Sequence, residues 1–482
     1  LTPRRSAAAG GLVLGAKTLT DAAAYADFLA AKQMVDPPTG LDCVPALNGA
    51  LFDFQHDITR WALRRGRAAL FAGTGLGKSL MELSWAEAIQ RETRRPILHL
   101  APLAVSAQLV REAAKFGIAA HMGDGGAAPN GICVTNYQKF GHFDLSQFGG
   151  VILDESSILK STDGHYRTRL IKECAVIPFR LAATATPAPN DFMELGNHAE
   201  FLGVMSYTDM LATFFTHDGG ETQKWRLKGH AEDEFWRWMA SWAVMIRKPS
   251  DLGYDDGAYE LPPLRQQQHI VAADYAPSVD TGLLFPMEAR TMQERLGARR
   301  DTIAERVELA ASITPKDRPF VWWCNLNAES EALAKAIPDA VELRGSDDEG
   351  DKERKLIDFS EGRIRVLVTK PSIAGFGMNW QHCADTGFVG LSDSFEQVYQ
   401  AIRRFWRFGQ TKSVNVHFIA AETEGAVVSN LRRKEADAER MAAAMVAHMA
   451  DLSSAAVRGT VRTVSTYNPE QLMRLPAFLG AA

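Results

Sequence analysis

The chain lacks any apolar run of the roughly 18 residues that a membrane-spanning helix requires, so no spanning role is expected. Cysteine is scarce: Cys43, Cys133, Cys174, Cys324 and Cys383 are the only five in 482 residues, and no two form a CxxC pair. That argues against a zinc ribbon and a disulfide framework, and it fits a reducing, cytoplasmic setting. Basic residues are not in excess: 53 Lys and Arg face 58 Asp and Glu, a net charge of −5. The molecule is no polycation, so any contact with nucleic acid must come from local basic surfaces. There is no internal repeat, and no low-complexity tract beyond an Ala/Gly-rich start. There RRSAAAGGLVLGA sets a basic pair before a short apolar run, which reads as a tail of small residues rather than an export signal.

What remains is an ordinary globular composition, in a chain long enough for two or three domains. From about Phe54 to Thr186 short apolar strands alternate with amphipathic helices: AALF (68–71), ILHLA (97–101), ICVTNY (132–137), VILDE (151–155) and FRLAATAT (179–186). Continuously apolar strands separated by helices indicate a parallel sheet covered on both faces. From Asp191 to about Pro319 the pattern is mainly helical. In FWRWMASW, Phe235, Trp238, Met239 and Trp242 share one helical face, read as core rather than as a base-stacking platform. YELPPLRQQQHIV (259–271) reads as a loop entering a strand, and Met287 to Ile313 as one long helix carrying Arg299 and Arg300. Alternation resumes at Phe320 with FVWWC (320–324), AVEL (340–343), RVLVT (365–369), TGFVGL (386–391) and VNVHFIA (414–420). A last helix, Glu424 to about Met449, is rich in Ala and Met on one side and is expected to pack on the second α/β unit.

Two stretches carry chemistry. AGTGLGKS (72–79) follows the strand AALF and opens a helix. Glycine costs strand and helix stability, and one use for such a cluster is to let backbone N–H groups curl round a phosphate at a helix N-terminus. Gly73, Thr74, Gly75 and Gly77 would form the cradle. Lys78 would reach the β- and γ-phosphates, and the Ser79 hydroxyl would hold Mg²⁺. VILDESS then places Asp154 and Glu155 at the C-terminal end of an apolar strand, where ligands sit in an open α/β sheet. Asp154 would hold Mg²⁺ through water, and Glu155 would orient and deprotonate an attacking water.

Together these stretches resemble motifs I and II of the superfamily-two helicases and translocases, in which motif I often begins with alanine. Further motifs follow in order over about Gln55 to Ala420. LFDFQ resembles the upstream glutamine element, with Gln55 facing the adenine. LAPLAVSAQLVREAAKF and VTNYQKF resemble motifs Ia and Ib. AATATPAPND resembles motif III in its Swi/Snf form, with Thr184, Thr186, Pro187 and Asn190 matching. VMIRKPSDLG followed by LPP resembles the stretch that links the two lobes. RVLVTKPSIAGFGMNW resembles motif V, with Gly375, Gly377 and Asn379 in register. QAIRRFWRFGQ resembles motif VI, with Gln400, Arg404, Arg407, Gly409 and Gln410 matching; Arg403 stands where that family often has aspartate or glycine. The layout is most like helicases of bacteriophages and prophages, which would place the chain in a bacterial host's cytoplasm.

The resemblance implies an α/β fold of two RecA-like parallel-sheet lobes in tandem with a helical insertion between them. The expected division is 1–45, a tail and lead-in; 46–200, the ATP-binding lobe; 201–315, a mainly helical insertion and linker; 316–422, the second lobe; and 423–482, a helix and tail. It implies ATP and Mg²⁺ as cofactors, with Arg404 and Arg407 as fingers that stabilise transition-state charge. Thr184, Thr186, Gly375, Gly377, Asn379 and Gln400 would couple the nucleotide to nucleic acid. Gln138, Lys139 and Lys370 are looser candidates for phosphodiester contact. The expected partner is DNA, duplex favoured, gripped by its backbone, with RNA an alternative and protein partners unspecified. Three activities follow from this pattern: translocation on duplex DNA, strand separation on DNA or RNA, or an ATP-dependent binding switch.

Overall fold

The apolar strands of the first half are buried on both faces, and burial on both faces is what sets their pairing. The computed structural model describes residues 38–458, except 161–163, 189–190, 218–224, 273–299, 375–378, 392–393 and 423–424. Helix α1 (Asp53–Arg65) leads into β1 (Arg67–Ala72), α2 (Lys78–Thr93), β2 (Ile97–Ala101), α3 (Leu103–Lys115), β3 (Ala120–Met122), β4 (Ile132–Asn136), β5 (Gly150–Asp154), α4 (His165–Glu173) and β6 (Phe179–Thr184). After α5 (Leu195–Leu202) and α6 (Tyr207–Phe214), an antiparallel hairpin of β7 (Phe215–His217) and β8 (Trp225–Leu227) precedes α7 (Glu232–Trp242) and β9 (Ala243–Ile246). The first sheet has seven strands in the order β3-β4-β2-β5-β6-β1-β9, and every pairing is parallel. Its register sets Asp154 beside Ala183, Phe71 beside Thr184, and Ala72 beside Ile246. The ends of β1, β5 and β6 are therefore level, and the loops that leave them share one edge.

Strand β10 (Leu264–Val271) opens a second sheet. It is completed by β11 (Phe320–Cys324), β12 (Ala340–Glu342), β13 (Val366–Thr369), β14 (Asp385–Val389) and β15 (Val414–Ala421). The order is β10-β15-β14-β11-β13-β12, again all parallel. Helices α8 (Ile303–Ile313), α9 (Asn327–Ala336), α10 (Glu349–Ser360) and α11 (Phe395–Ile402) connect these strands. Trp322 and Trp323 fill opposite faces of this sheet, since successive strand side chains alternate. Each indole N–H is satisfied, Trp322 by Thr314 Oγ1 and Trp323 by Thr386 Oγ1, both at 2.9 Å. The α/β fold class expected from the sequence, two parallel-sheet lobes in tandem, is the one observed.

Three local readings differ from the structure. The segment read as mainly helical, 201–315, also supplies β9 to the first sheet, whereas β10 of the second sheet is the strand read at the end of 259–271. AVMI is only four residues long and directly continues an aromatic helix, so its strand character is hidden by the helical period before it. Of the proposed long helix from Met287, the part up to residue 299 lies outside the described residues; α8 covers the end of it. The last helix, α12 (Gly425–Arg458), is longer than expected and packs chiefly on the first lobe. Met445 and Met449 join the core cluster that holds Trp236 and Met239, and His448 stacks flat on Trp236 with ring centroids 5.2 Å apart. A stripe of Ala and unbranched Met makes a low, adaptable surface that fits the aromatic face of α7. Near its start Glu435 accepts from Gln266 Nε2 of β10 at 3.2 Å, and near its end Ser454 Oγ donates to the Leu252 carbonyl at 3.3 Å. The aromatic group itself is core, as expected: Phe235, Trp236, Met239 and Trp242 are buried, and Trp238 is half-buried against Phe214 and Trp242.

Candidate active site

The glycine loop sits where β1 ends. Gly75 and Gly77 adopt φ of 93° and 78°, conformations that a side chain resists. The loop also leaves no room. A Cβ on Gly73 would lie 3.2 Å from the Arg247 carbonyl oxygen, and one on Gly77 would overlap the Gln55 amide. Thr74 lies in the same loop, and Lys78 and Ser79 are the first residues of α2. That helix is buried on most of its circumference, so its N-terminus, with unpaired N–H groups and positive dipole end, is held rigidly at the sheet edge. Lys78 Nζ donates to the Ala72 carbonyl at 2.9 Å, which folds its ammonium back over the loop.

Asp154 is the last residue of β5 and is buried. Burial first, then Glu82 and Glu155, hold its carboxyl well above the usual range, with His99 and Lys78 pulling the other way. Such a carboxyl is one that a nearby cation would ionise readily. Its Oδ1 accepts the Glu155 N–H at 3.0 Å. Glu155 adopts φ of 52°, left-handed for a residue with a side chain. Its carboxylate accepts from Thr184 Oγ1 at 3.2 Å, and the same Oγ1 accepts the Thr186 N–H at 3.1 Å. The sequence-predicted residues of motifs I, II and III are thus brought together.

The second lobe delivers the arginines. After α11 the chain turns through Arg404 to Gly409, and this turn lies on the glycine loop of the first lobe. A Cβ on Gly75 would be 3.0 Å from Phe408 N and 3.5 Å from Arg407 Cβ. Arg404 is buried and bonded to Gln400 through its Oε1 at 3.3 Å and its carbonyl at 3.1 Å. Burial, then the neighbouring Arg407, lowers Arg404 to about 9, while Glu155 and Asp154 raise it. It stays cationic at neutral pH and feels both carboxylates across the cleft. Arg407 donates through Nη1 to Asn379 Oδ1, which ties motif V to motif VI. A second contact clasps the lobes: Glu396 on α11 accepts from Ser157 Oγ at 2.9 Å and pairs with Lys160.

Buried polar atoms at this cleft without a hydrogen-bond partner include Arg407 Nε, Thr186 Oγ1 and Gln400 Nε2. Orphaned donors beside a glycine-rich loop at a helix N-terminus suit a polyphosphate. Among the described residues no group of three His, Cys, Asp or Glu could hold a metal alone. Ser79 and Asp154 are hard oxygen donors, of the kind that share Mg²⁺ with nucleotide phosphates.

Other predicted residues fare differently. Gln55 does not face an open slot: its Oε1 accepts the Phe52 N–H at 3.0 Å and its Nε2 donates to the Leu76 carbonyl at 2.8 Å. Gly375, Gly377 and Asn190 lie outside the described residues. Gln138 is exposed, Lys139 pairs with Asp124 at 2.6 Å, and Lys370 is half-buried at the end of β13. Arg403 is not simply solvated, since its guanidinium lies 4.3 Å from the Trp406 ring centroid and 5.0 Å from that of Tyr399. Beside the glycine loop a cavity of about 600 Å³ opens between the lobes and α12, but Lys78, Asp154 and Glu155 do not line it.

Sequence reasoning passed over a pair behind the loop. Glu82 and His99 are fully buried, with Glu82 Oε2 3.1 Å from His99 Nε2. Burial raises Glu82 to about 8 and lowers His99 to about 4, so it disfavours a charge on either partner. A lone acid one turn after Lys78, inside the run LMELSW, was the available signal. Tyr137 was also missed as an individual; its hydroxyl donates to the Asp154 carbonyl at 2.6 Å.

No family model and no curated protein matches the chain. Among solved structures, the Sulfolobus solfataricus SWI2/SNF2 ATPase core in complex with dsDNA is similar at 15% identity over 81% of this chain and 90% of that one, with a TM-score of 0.39. A likeness at that score carries no argument, and it lends none to a phage or prophage origin. Among the described residues no helix is long and apolar enough to cross a membrane.

Proposed function

We propose that the protein is an ATP-driven motor on nucleic acid, hydrolysing Mg²⁺-bound ATP between two RecA-like lobes and translocating on duplex DNA. One observation carries the reading: the arginine turn of the second lobe packs on the glycine loop of the first, over Gly75. That contact would convert a phosphate site on one lobe into a site shared by two.

The residues divide the work as follows. The loop Gly73–Gly77 and Lys78 would hold the phosphates, and Ser79 and Asp154 would hold the metal ion. Bound Mg²⁺·ATP supplies the phosphoanhydride whose hydrolysis drives the cycle. Glu155, aimed by Thr184, would take the proton of the attacking water. Arg404 and Arg407 would offset charge that grows on the transferred group, a contribution typically worth ~10³–10⁵ in rate. Because both arginines sit on the second lobe, closing and opening of the cleft would accompany each turnover. Thr186 and Asn379 lie one hydrogen bond from the machinery and would pass that movement to bound DNA. The preference for duplex translocation rests on the resemblance of motifs V and VI to the Swi/Snf form. Contacts to the phosphodiester backbone suit a motor indifferent to sequence and predict salt-sensitive stimulation. The lobes are assigned to about 46–200 and 316–422, each with segments borrowed from between them.

The test is steady-state ATPase without nucleic acid and with duplex DNA, single-stranded DNA or RNA, at two salt concentrations. Selective, salt-sensitive stimulation by duplex is expected. Stimulation only by single strands or RNA would replace translocation with strand separation, and ATP binding without turnover in every condition would refute the motor.

A further inference from the structure

We infer that Tyr137 is a positioning residue that fixes the Asp154–Glu155 peptide and, through it, the direction of the Glu155 carboxylate. The inference rests on the reading of Glu155 as the base that activates water.

Non-glycine residues with positive φ are few among the described residues: Arg94, Glu155 and Asp339. Arg94 ends helix α2 and Asp339 lies in the turn before β12, ordinary places for such a conformation. Glu155 alone of the three sits in the candidate site. A side chain in this region persists where its surroundings over-determine it. Around Glu155 they do. The carbonyl of the 154–155 peptide accepts from the Tyr137 hydroxyl at 2.6 Å, and the N–H of the same peptide donates to Asp154 Oδ1 at 3.0 Å. The next peptide is held as well, since the Glu155 carbonyl accepts the Ile158 N–H at 3.2 Å, and with the planes on both sides of its Cα fixed the Glu155 Cα–Cβ bond has one direction. Thr184 then holds the far end of the side chain.

The tyrosine contact is no by-product of strand pairing. Tyr137 follows β4, and β4 is separated from β5 by the whole of β2. The ring reaches past the end of β2 to find one carbonyl. It is buried, and burial with the nearby carboxyls holds its hydroxyl protonated, which keeps it a donor. The residues after it, Gln138 and Lys139, continue a short helical turn at the same sheet edge, with the Lys139 N–H capped by Asn136 Oδ1 at 3.1 Å.

Tyr137→Phe keeps the ring and removes the donor. The parent is assayed beside it for Mg²⁺·ATP turnover and for ATP binding. The expected result is a kcat about 10- to 100-fold lower, the scale of loss that a small misplacement of a reacting group produces, with ATP affinity within about threefold. Replacing Tyr137 by 3-fluorotyrosine, which retains the donor, is expected to restore the parental rate. Combined with Thr184→Val, the loss should be well short of the product of the two single losses, because both act on one carboxylate. A folded Tyr137→Phe variant at the parental kcat, or losses that simply multiply, would overturn the positioning role while leaving the ATPase reading intact. If Tyr137→Phe does not fold, the 3-fluorotyrosine protein decides: normal folding with a collapsed rate would refute the role. A parent that binds ATP but never turns it over would overturn the ATPase reading and this inference with it.

Discussion

Removing the charge capacity of Glu82 should change how stability depends on pH. The carboxyl is fully buried and raised from 4.5 to about 8, because burial disfavours its ionised form more than Lys78 favours it. Between those two values the folded chain binds one proton more than the unfolded chain. Stability from this group is therefore fully present below about 4.5 and is lost as pH rises toward about 8, at about 1.4 kcal/mol per unit. His99 and His198 are both lowered to about 4 by burial, so their contributions run the other way and are complete above about 6.5. Between pH 6.5 and 8 these histidines add no further change, and the parent should lose about 2 kcal/mol more than Glu82→Gln, while Asp154, also raised, adds a loss to both proteins. Asp154 is raised partly by Glu82, so the substitution acts on it with the same sign. The assay is native-state hydrogen exchange of the α2 and β2 amides, parent against variant at each pH, so that intrinsic exchange chemistry cancels. If the two proteins lost protection equally between pH 6.5 and 8, the neutral-acid assignment would be wrong.

Other substitutions test the site directly. Lys78→Ala should abolish hydrolysis, while Glu155→Gln should bind ATP and fail to turn it over; parental turnover by Glu155→Gln would remove it as the base. Arg407→Ala should lose at least about tenfold of nucleic-acid-stimulated kcat with little change in ATP affinity, and normal stimulated turnover in a folded variant would sink the finger role. Gly75→Ala adds a methyl 3.0 Å from Phe408 N at a φ of 93°, so it should leave the lobes folded but hinder their closure. A side chain at that φ should also lower melting modestly; the signature is a fall in kcat while the protein is still fully folded at the assay temperature, and unchanged kcat would show that the turn does not close on the loop.

The sheets were legible because parallel strands buried on both faces read as short, continuous apolar runs. The glycine loop and the acidic pair were legible because their chemistry needs contiguous residues. What sequence could not give is contact across the fold. Tyr137 and Asp154 are seventeen positions apart and separated in the sheet by β2. Glu396 meets Ser157 and Lys160 from the other lobe. AVMI was swallowed by the helix before it. The side of the molecule chosen by α12 depends on which surface offers a complementary shape, and a stripe of alanine and methionine does not name its partner. Gln55 was identified by position, yet its partners are the Phe52 and Leu76 backbone and the distant Tyr259 hydroxyl, which no local pattern announces.

The course of α12 has a mechanical consequence. It touches β10 at Gln266 and, nineteen residues further on, the segment before β10 at Leu252. At ~1.5 Å per residue those two points on the helix are about 28 Å apart. Leu252 and Gln266 are fourteen steps apart along the chain, a stretch that covers most of the connection between the sheets and enters β10, and unconstrained it could reach roughly 46–50 Å. The helix therefore splints the connection at both ends. A joint splinted in this way limits how far the two sheets can separate while both contacts hold.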